Sequence, residues 1–185
     1  PFSCGWGNVG GHLQVMALGY EYVDNALAWA SPKFAGFDAT LQYSNGTDAK
    51  NFGTGVEGKS SVERMYAGAL RYTHNDLMVI GGIERINYAQ PSANDLGRKD
   101  AISYNLGGSY QAGWAKFYAY GQYFQNYTAA ARTTTFALPS GVDGWGANVG
   151  VDVPVSHGFI KAGLGYGDFK GSKDSDRTMK TWQAA

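Results

Sequence analysis

Residues able to do chemistry are sparse in this chain, and their spacing excludes most reactions. Gly5-Trp6-Gly7-Asn8-Val9-Gly10 has the glycine spacing of a dinucleotide loop. That chemistry needs a strand before the glycines and a helix after them, so that the phosphate meets a helix N-terminus. No strand precedes this stretch and no helical pattern follows, so no cofactor is expected. His12, His74 and His157 are far apart and Cys4 is the single cysteine, which leaves neither metal-site spacing nor an internal disulfide. Ser140, in Pro139-Ser140-Gly141, has no base at a recognisable spacing. Asn45-Gly46-Thr47 and Asn126-Tyr127-Thr128 match the glycosylation pattern by composition alone. No enzyme is expected from this inventory. What remains is a scattered set of charges of both signs: Asp38, Glu63, Glu84 and Asp152 against Arg71, Lys116 and Lys161. Fixed charges of both signs act on ions through the field they set up.

Such charges need elements that hold them on one face, and the sequence supplies period-two alternation. Ile102, Tyr104, Leu106 and Tyr110 alternate with Ser103, Asn105, Gly107 and Ser109. Val149, Val151 and Val153 alternate with Asn148, Gly150 and Asp152, and Ile160, Ala162 and Leu164 with Lys161, Gly163 and Gly165. The same pattern sets Phe37, Ala39, Leu41 and Tyr43 against Asp38, Thr40 and Gln42. It also sets Tyr66, Leu70 and Tyr72 against Arg71, and Phe117, Ala119 and Tyr123 against Lys116, Tyr118 and Tyr120. From Leu77 to Tyr88 two apolar phases compete. Placing Leu77, Val79 and Ile83 on the apolar face turns Glu84 to the polar one. One face of these strands is therefore apolar, represented by Ile102, Tyr104, Leu106, Val149, Val151, Val153, Ile160 and Leu164. The other is small, Gly-rich and occasionally charged, and carries Asp38, Gln42, Glu63, Arg71, Glu84, Lys116, Tyr118, Tyr120, Asp152 and Lys161.

Short connections are expected near Pro32 to Gly36, His74 to Asp76, Ala112 to Trp114 and Ser156 to Gly158, roughly 40 residues apart. Longer polar loops are expected over 44–61, 89–100, 128–143 and 170–177. About nine strands of near ten residues result, the length a tilted strand needs to cross a bilayer. Composition agrees. Glycine numbers 27, aromatic residues make up 15% and charged residues only 16%, and no run of apolar residues is long enough for a membrane helix. Fifteen basic residues cancel fifteen acidic ones, so no long-range field favours nucleic acid. In hydrocarbon every backbone group must be paired, and strands with one apolar face satisfy this by closing into a barrel. The polar face would then enclose water. Tyr43, Tyr66, Tyr72, Tyr110, Tyr123 and Tyr166, near strand ends, suit interfacial girdles. Arg64 and Arg85, in the apolar phase, could reach headgroups from there. A soluble sandwich would invert the faces and require large core residues where this chain has Gly, Ser and Asn.

Asp24-Asn25-Ala26-Leu27-Ala28-Trp29, followed by Ser31-Pro32-Lys33-Phe34-Ala35-Gly36-Phe37, resembles the strand and periplasmic turn after the constriction loop of trimeric general porins of Gram-negative outer membranes, in particular those of beta-proteobacteria and Neisseria. Residues 66–72, 104–110, 115–119 and 161–166 are similar to later hairpins of that family. The resemblance implies an all-β, antiparallel up-and-down barrel of about sixteen strands, of which this chain holds a contiguous portion as a single partial domain over 1–185. Residues 1–24 would fall in the constriction loop and 25–185 in strands and loops. It further implies passive diffusion of small hydrophilic solutes and ions without a cofactor, a homotrimer, and contact with membrane lipid and lipopolysaccharide. The family's terminal aromatic signal is missing, which reads as truncation. A different reading makes the chain a β-surface protein presenting 44–61 and 128–143 as adhesive loops.

Overall fold

The computed structural model describes residues 15–17, 23, 25–45, 63–88, 99–130 and 136–184. Cys4, the Gly5 to Gly10 stretch, His12 and Asp24 lie outside the described residues. So does most of the segment expected to form a constriction loop.

Nine strands form one antiparallel sheet in sequence order. They are β1 (Ala26–Ala30), β2 (Phe37–Ser44), β3 (Arg64–His74), β4 (Leu77–Asn87), β5 (Ala101–Gln111), β6 (Lys116–Ala130), β7 (Phe136–Val155), β8 (Gly158–Gly171) and β9 (Thr178–Ala184). Strict neighbour-to-neighbour pairing puts the links after β1, β3, β5 and β7 at one end of the sheet and those after β2, β4, β6 and β8 at the other. The first set is short, as alternation and turn residues predict. Asn75 takes the left-handed conformation in the β3–β4 turn, which Asn tolerates better than most residues.

Gly36, at the β1–β2 turn, is more demanding. Its φ is +87°, and a Cβ there would lie 2.7 Å from the Thr73 carbonyl oxygen and 3.0 Å from the Tyr72 ring. Gly36→Ala is therefore expected to destabilise the fold by more than about 1 kcal/mol, read as a lower urea midpoint in reconstituted protein.

One sequence expectation is corrected. Residues 128–143 do not form a loop throughout: β6 continues to Ala130 and β7 starts at Phe136, paired through Ala129↔Ala137 and Ala130↔Phe136. Polar residues, Pro139 and Gly141 disguise this pairing. Register shifts between Phe124 and Tyr127 and between Tyr127 and Ala129 accommodate it, with Asn126 and Gly141 both at positive φ. An adhesive loop over 128–143 loses its basis.

In an antiparallel ladder, directly opposed residues point to the same face, so the register sorts every side chain. Leu27, Leu41, Leu70, Ile83, Leu106, Val149, Ile160 and Leu164 lie on one face, and all are substantially exposed. Aromatic rings gather toward its two ends. Tyr43 and Tyr66 are 5.2 Å apart and Trp145 and Tyr166 5.5 Å apart near the long links; Phe37 and Tyr72 are 4.6 Å apart near the turns.

The opposite face holds the buried residues. Toward the long links it carries an apolar cluster that includes Met65, Ile86, Phe124, Tyr127 and Phe169. Phe124 and Phe169 sit on strands two apart, about 10 Å between backbones, yet their ring centroids are 5.7 Å apart. Side chains converge in this way on the concave side of a curved sheet.

Candidate functional site

The concave face is organised in rows that cross the strands. The middle row runs Thr40, Ala69, Gly82, Asn105, Gln122, Gly146, Gly167 and Thr181, each directly opposed to the next. One step toward the long links lie Gln42, Ala67, Glu84, Ser103 and Phe124. One step toward the turns lie Asp38, Arg71, Ile80, Gly107, Tyr120 and Asn148. Closer still to the turns, Lys116, Asp152 and Lys161 oppose one another across three strands. Of the residues assigned to the polar face from sequence, Asp38, Gln42, Arg71, Glu84, Lys116, Tyr118, Tyr120, Asp152 and Lys161 share this one face. Glu63 stands immediately before β3. Ile102, Tyr104, Leu106, Val149, Val151, Val153, Ile160 and Leu164 share the other face.

Most of the charges are paired. Arg71 Nε donates to both carboxylate oxygens of Asp38 at 3.1 Å, and Arg71 Nη2 lies 3.0 Å from Asp38 Oδ1. Asp152 Oδ2 accepts from Tyr118 OH at 3.0 Å and lies 3.8 Å from Lys161 Nζ. Lys116 Nζ sits 5.3 Å from the centroid of the Tyr118 ring, a cation–π distance. Glu84 differs, since its partner is a phenol: Tyr127 OH donates to Glu84 Oε1 at 2.5 Å. On the convex face Arg85 pairs with Asp100 at 3.0 Å, and Arg64 Nε donates to Asn45 Oδ1 at 3.4 Å. Both arginines sit near strand ends.

Two features of this face were not legible in the alternation. Tyr127 belongs by parity with Tyr123 on the apolar face, but the bulge at Asn126 turns it inward, onto Glu84 and Ser103. The second is the segment Val15, Met16, Ala17, which lies on the concave face across β6 to β8. Ala17 N–H donates to Gln122 Oε1 at 2.8 Å. The Val15 backbone occupies the space that a side chain at Gly146 or Gly167 would need, and a Cβ on Gly146 would overlap the Val15 carbonyl. The glycines are a local signal that something approaches closely. Nothing local says what.

A curved sheet of long neighbour-paired strands, apolar and ring-bordered outside, polar and charged inside, is the wall of a transmembrane β-barrel. A family model described as Gram-negative porin matches residues 3–185, and the chain belongs to that family. No curated protein matches it. The protein is accordingly an outer-membrane channel for passive diffusion of small solutes, in a family of channels and not of enzymes.

Proposed function

We propose that the concave face lines the water path of a barrel of about sixteen strands, functioning as a homotrimer in a lipopolysaccharide-containing membrane. In this reading 1–185 is one partial barrel domain. Asp38, Gln42, Glu63, Arg71, Glu84, Lys116, Tyr118, Tyr120, Asp152 and Lys161 meet the passing solution, while Ile102, Tyr104, Leu106, Val149, Val151, Val153, Ile160 and Leu164 meet lipid. The observation that carries it is the register, which gathers the strand-borne charges Asp38, Arg71, Glu84, Lys116, Asp152 and Lys161 onto the face opposite the exposed aliphatic set.

The energetic argument is direct. A Lys or Arg facing mid-bilayer lipid costs about 2–4 kcal/mol, whereas in a water-filled lumen it keeps its hydration. Solutes move down their gradients with no covalent step. The paired charges Asp38–Arg71 and Asp152–Lys161 structure the field across the path while nearly cancelling at a distance. Val15 to Ala17, seated on the wall, narrow the path at the level of the middle row, in keeping with a constricting role for 1–24.

Cysteine accessibility tests the facing. In a Cys4→Ser background, Lys161→Cys should change conductance when a small charged thiol reagent is added to the aqueous phase. Val151→Cys should not respond. The opposite pattern would reverse the inside and outside of the wall.

A further inference from the structure

The concave face contains a trough that the paired charges do not account for. Its floor is Ala67, Ala69 and Gly82, where no side chain is longer than a methyl group, and its volume is about 340 Å³. Thr40 and Gln42 form one bank; Glu84, Asn105 and Tyr120 form the other. The second bank is held in place by a chain of hydrogen bonds. Tyr120 OH donates to Asn105 Oδ1 at 2.5 Å, and Asn105 Nδ2 donates to Ser103 Oγ at 3.1 Å. Ser103 Oγ lies 3.1 Å from Tyr127 OH, which donates to Glu84 Oε1 at 2.5 Å.

This chain fixes Glu84 without neutralising it. A phenol satisfies one carboxylate oxygen and leaves the negative charge in place. No Lys, Arg or His pairs with Glu84 among the described residues, and Arg71 on the adjacent strand is engaged by Asp38. Asp38 and Asp152 both have cations beside them. Glu84 is therefore a preorganised acceptor facing an open trough, with an amide and a hydroxyl on the far bank. Preorganised polar groups bind at lower cost than mobile ones.

We propose that this trough is a solute subsite for small molecules that carry a primary ammonium group next to hydroxyls, the chemistry of an amino sugar. The inference rests on the reading of the concave face as the lumen. Glu84 takes the ammonium through a charge-assisted hydrogen bond. Gln42 and Thr40 take the hydroxyls, and the methyl floor accommodates the C–H surface of the ring. A site in a conducting path has to release its occupant as readily as it binds it. One charged contact with neutral partners gives that weak, reversible hold.

The test uses channels reconstituted in planar bilayers with potassium chloride on both sides. Protonated glucosamine should produce transient current blockades, and glucose, of the same shape without the charge, should not. Glu84→Gln should weaken the blockade by about tenfold or more, and Gln42→Leu by a smaller factor, with open-channel currents showing that both variants fold. Equal blockade of Glu84→Gln and the parent would overturn the subsite. So would equal blockade by tetramethylammonium, which has charge but no N–H. Glu84→Cys in the Cys4→Ser background separates the two levels: if a thiol reagent leaves its conductance unchanged, the lumenal reading fails. If the reagent acts while Glu84→Gln keeps the full glucosamine blockade, only the subsite falls.

Discussion

Replacing Gly146 with Val is expected to open the channel. A Cβ at this position would overlap the Val15 carbonyl, and the two further methyl groups leave no arrangement in which Val15 keeps its seat. The segment must lift from the wall, breaking the bond from Ala17 N–H to Gln122. Since conductance follows the narrowest section of the path, single-channel current should rise on the order of twofold. Gly121→Ala is the control. It lies on the opposite face, on the neighbouring strand, where a Cβ meets only the Gly146 carbonyl oxygen at 3.9 Å, and it should leave conductance unchanged. Unaltered current in a folded Gly146→Val channel would show that Val15 to Ala17 do not set the narrow section.

The same side chain placed at two consecutive positions should have opposite consequences. Val149 is 56% exposed on the convex face, and Asn148 faces inward beside Tyr120 and Gly165. Val149→Arg puts a guanidinium in hydrocarbon between the ring-bordered ends, at a cost of about 2–4 kcal/mol. Asn148→Arg puts it in water and should cost under about 1 kcal/mol while shifting ion preference toward anions. The urea dependence of heat-modifiable folded protein on a cold gel measures the first effect, and reversal potential in a salt gradient the second. Equal destabilisation by both would remove the lipid–water distinction on which the facing depends.

Much of this architecture could be read in the residues because lipid on one side and water on the other impose a period of two on every strand between them. The phase of β4, ambiguous from Leu77 to Tyr88, resolved once Glu84 was required to avoid hydrocarbon, and the register puts Leu77, Val79 and Ile83 with Tyr110, Gly108 and Tyr104. Alternation stops being informative where its cause stops. The far halves of β6 and β7, beyond Phe124 and Trp145, have no reason to alternate, so their residues carry the signature of a loop although the strands pair there. The bulge at Asn126 reverses parity in a single step and hid Tyr127. The small, Gly-rich, occasionally charged pattern of the concave face gives no sign that Phe124, Phe169, Met65 and Ile86 pack there near the long links. The seat of Val15 is a contact between residues more than a hundred positions apart, for which local pattern carries only the two glycines that permit it.

In the proposed lumen, the crossing at Val15 to Ala17 also decides where membrane voltage acts. A water path that narrows at one level has most of its electrical resistance there, so most of an applied potential drops across that level. Glu84, Gln122 and whatever ion is passing them stand within the drop. Lys116, Asp152 and Lys161 stand about 20 Å further along the strands, near the potential of the solution on the turn side. A unit charge crossing the whole drop gains about 2.3 kcal/mol per 100 mV, so polarity can load or empty the middle rows while the lysines near the turns remain a constant local bath.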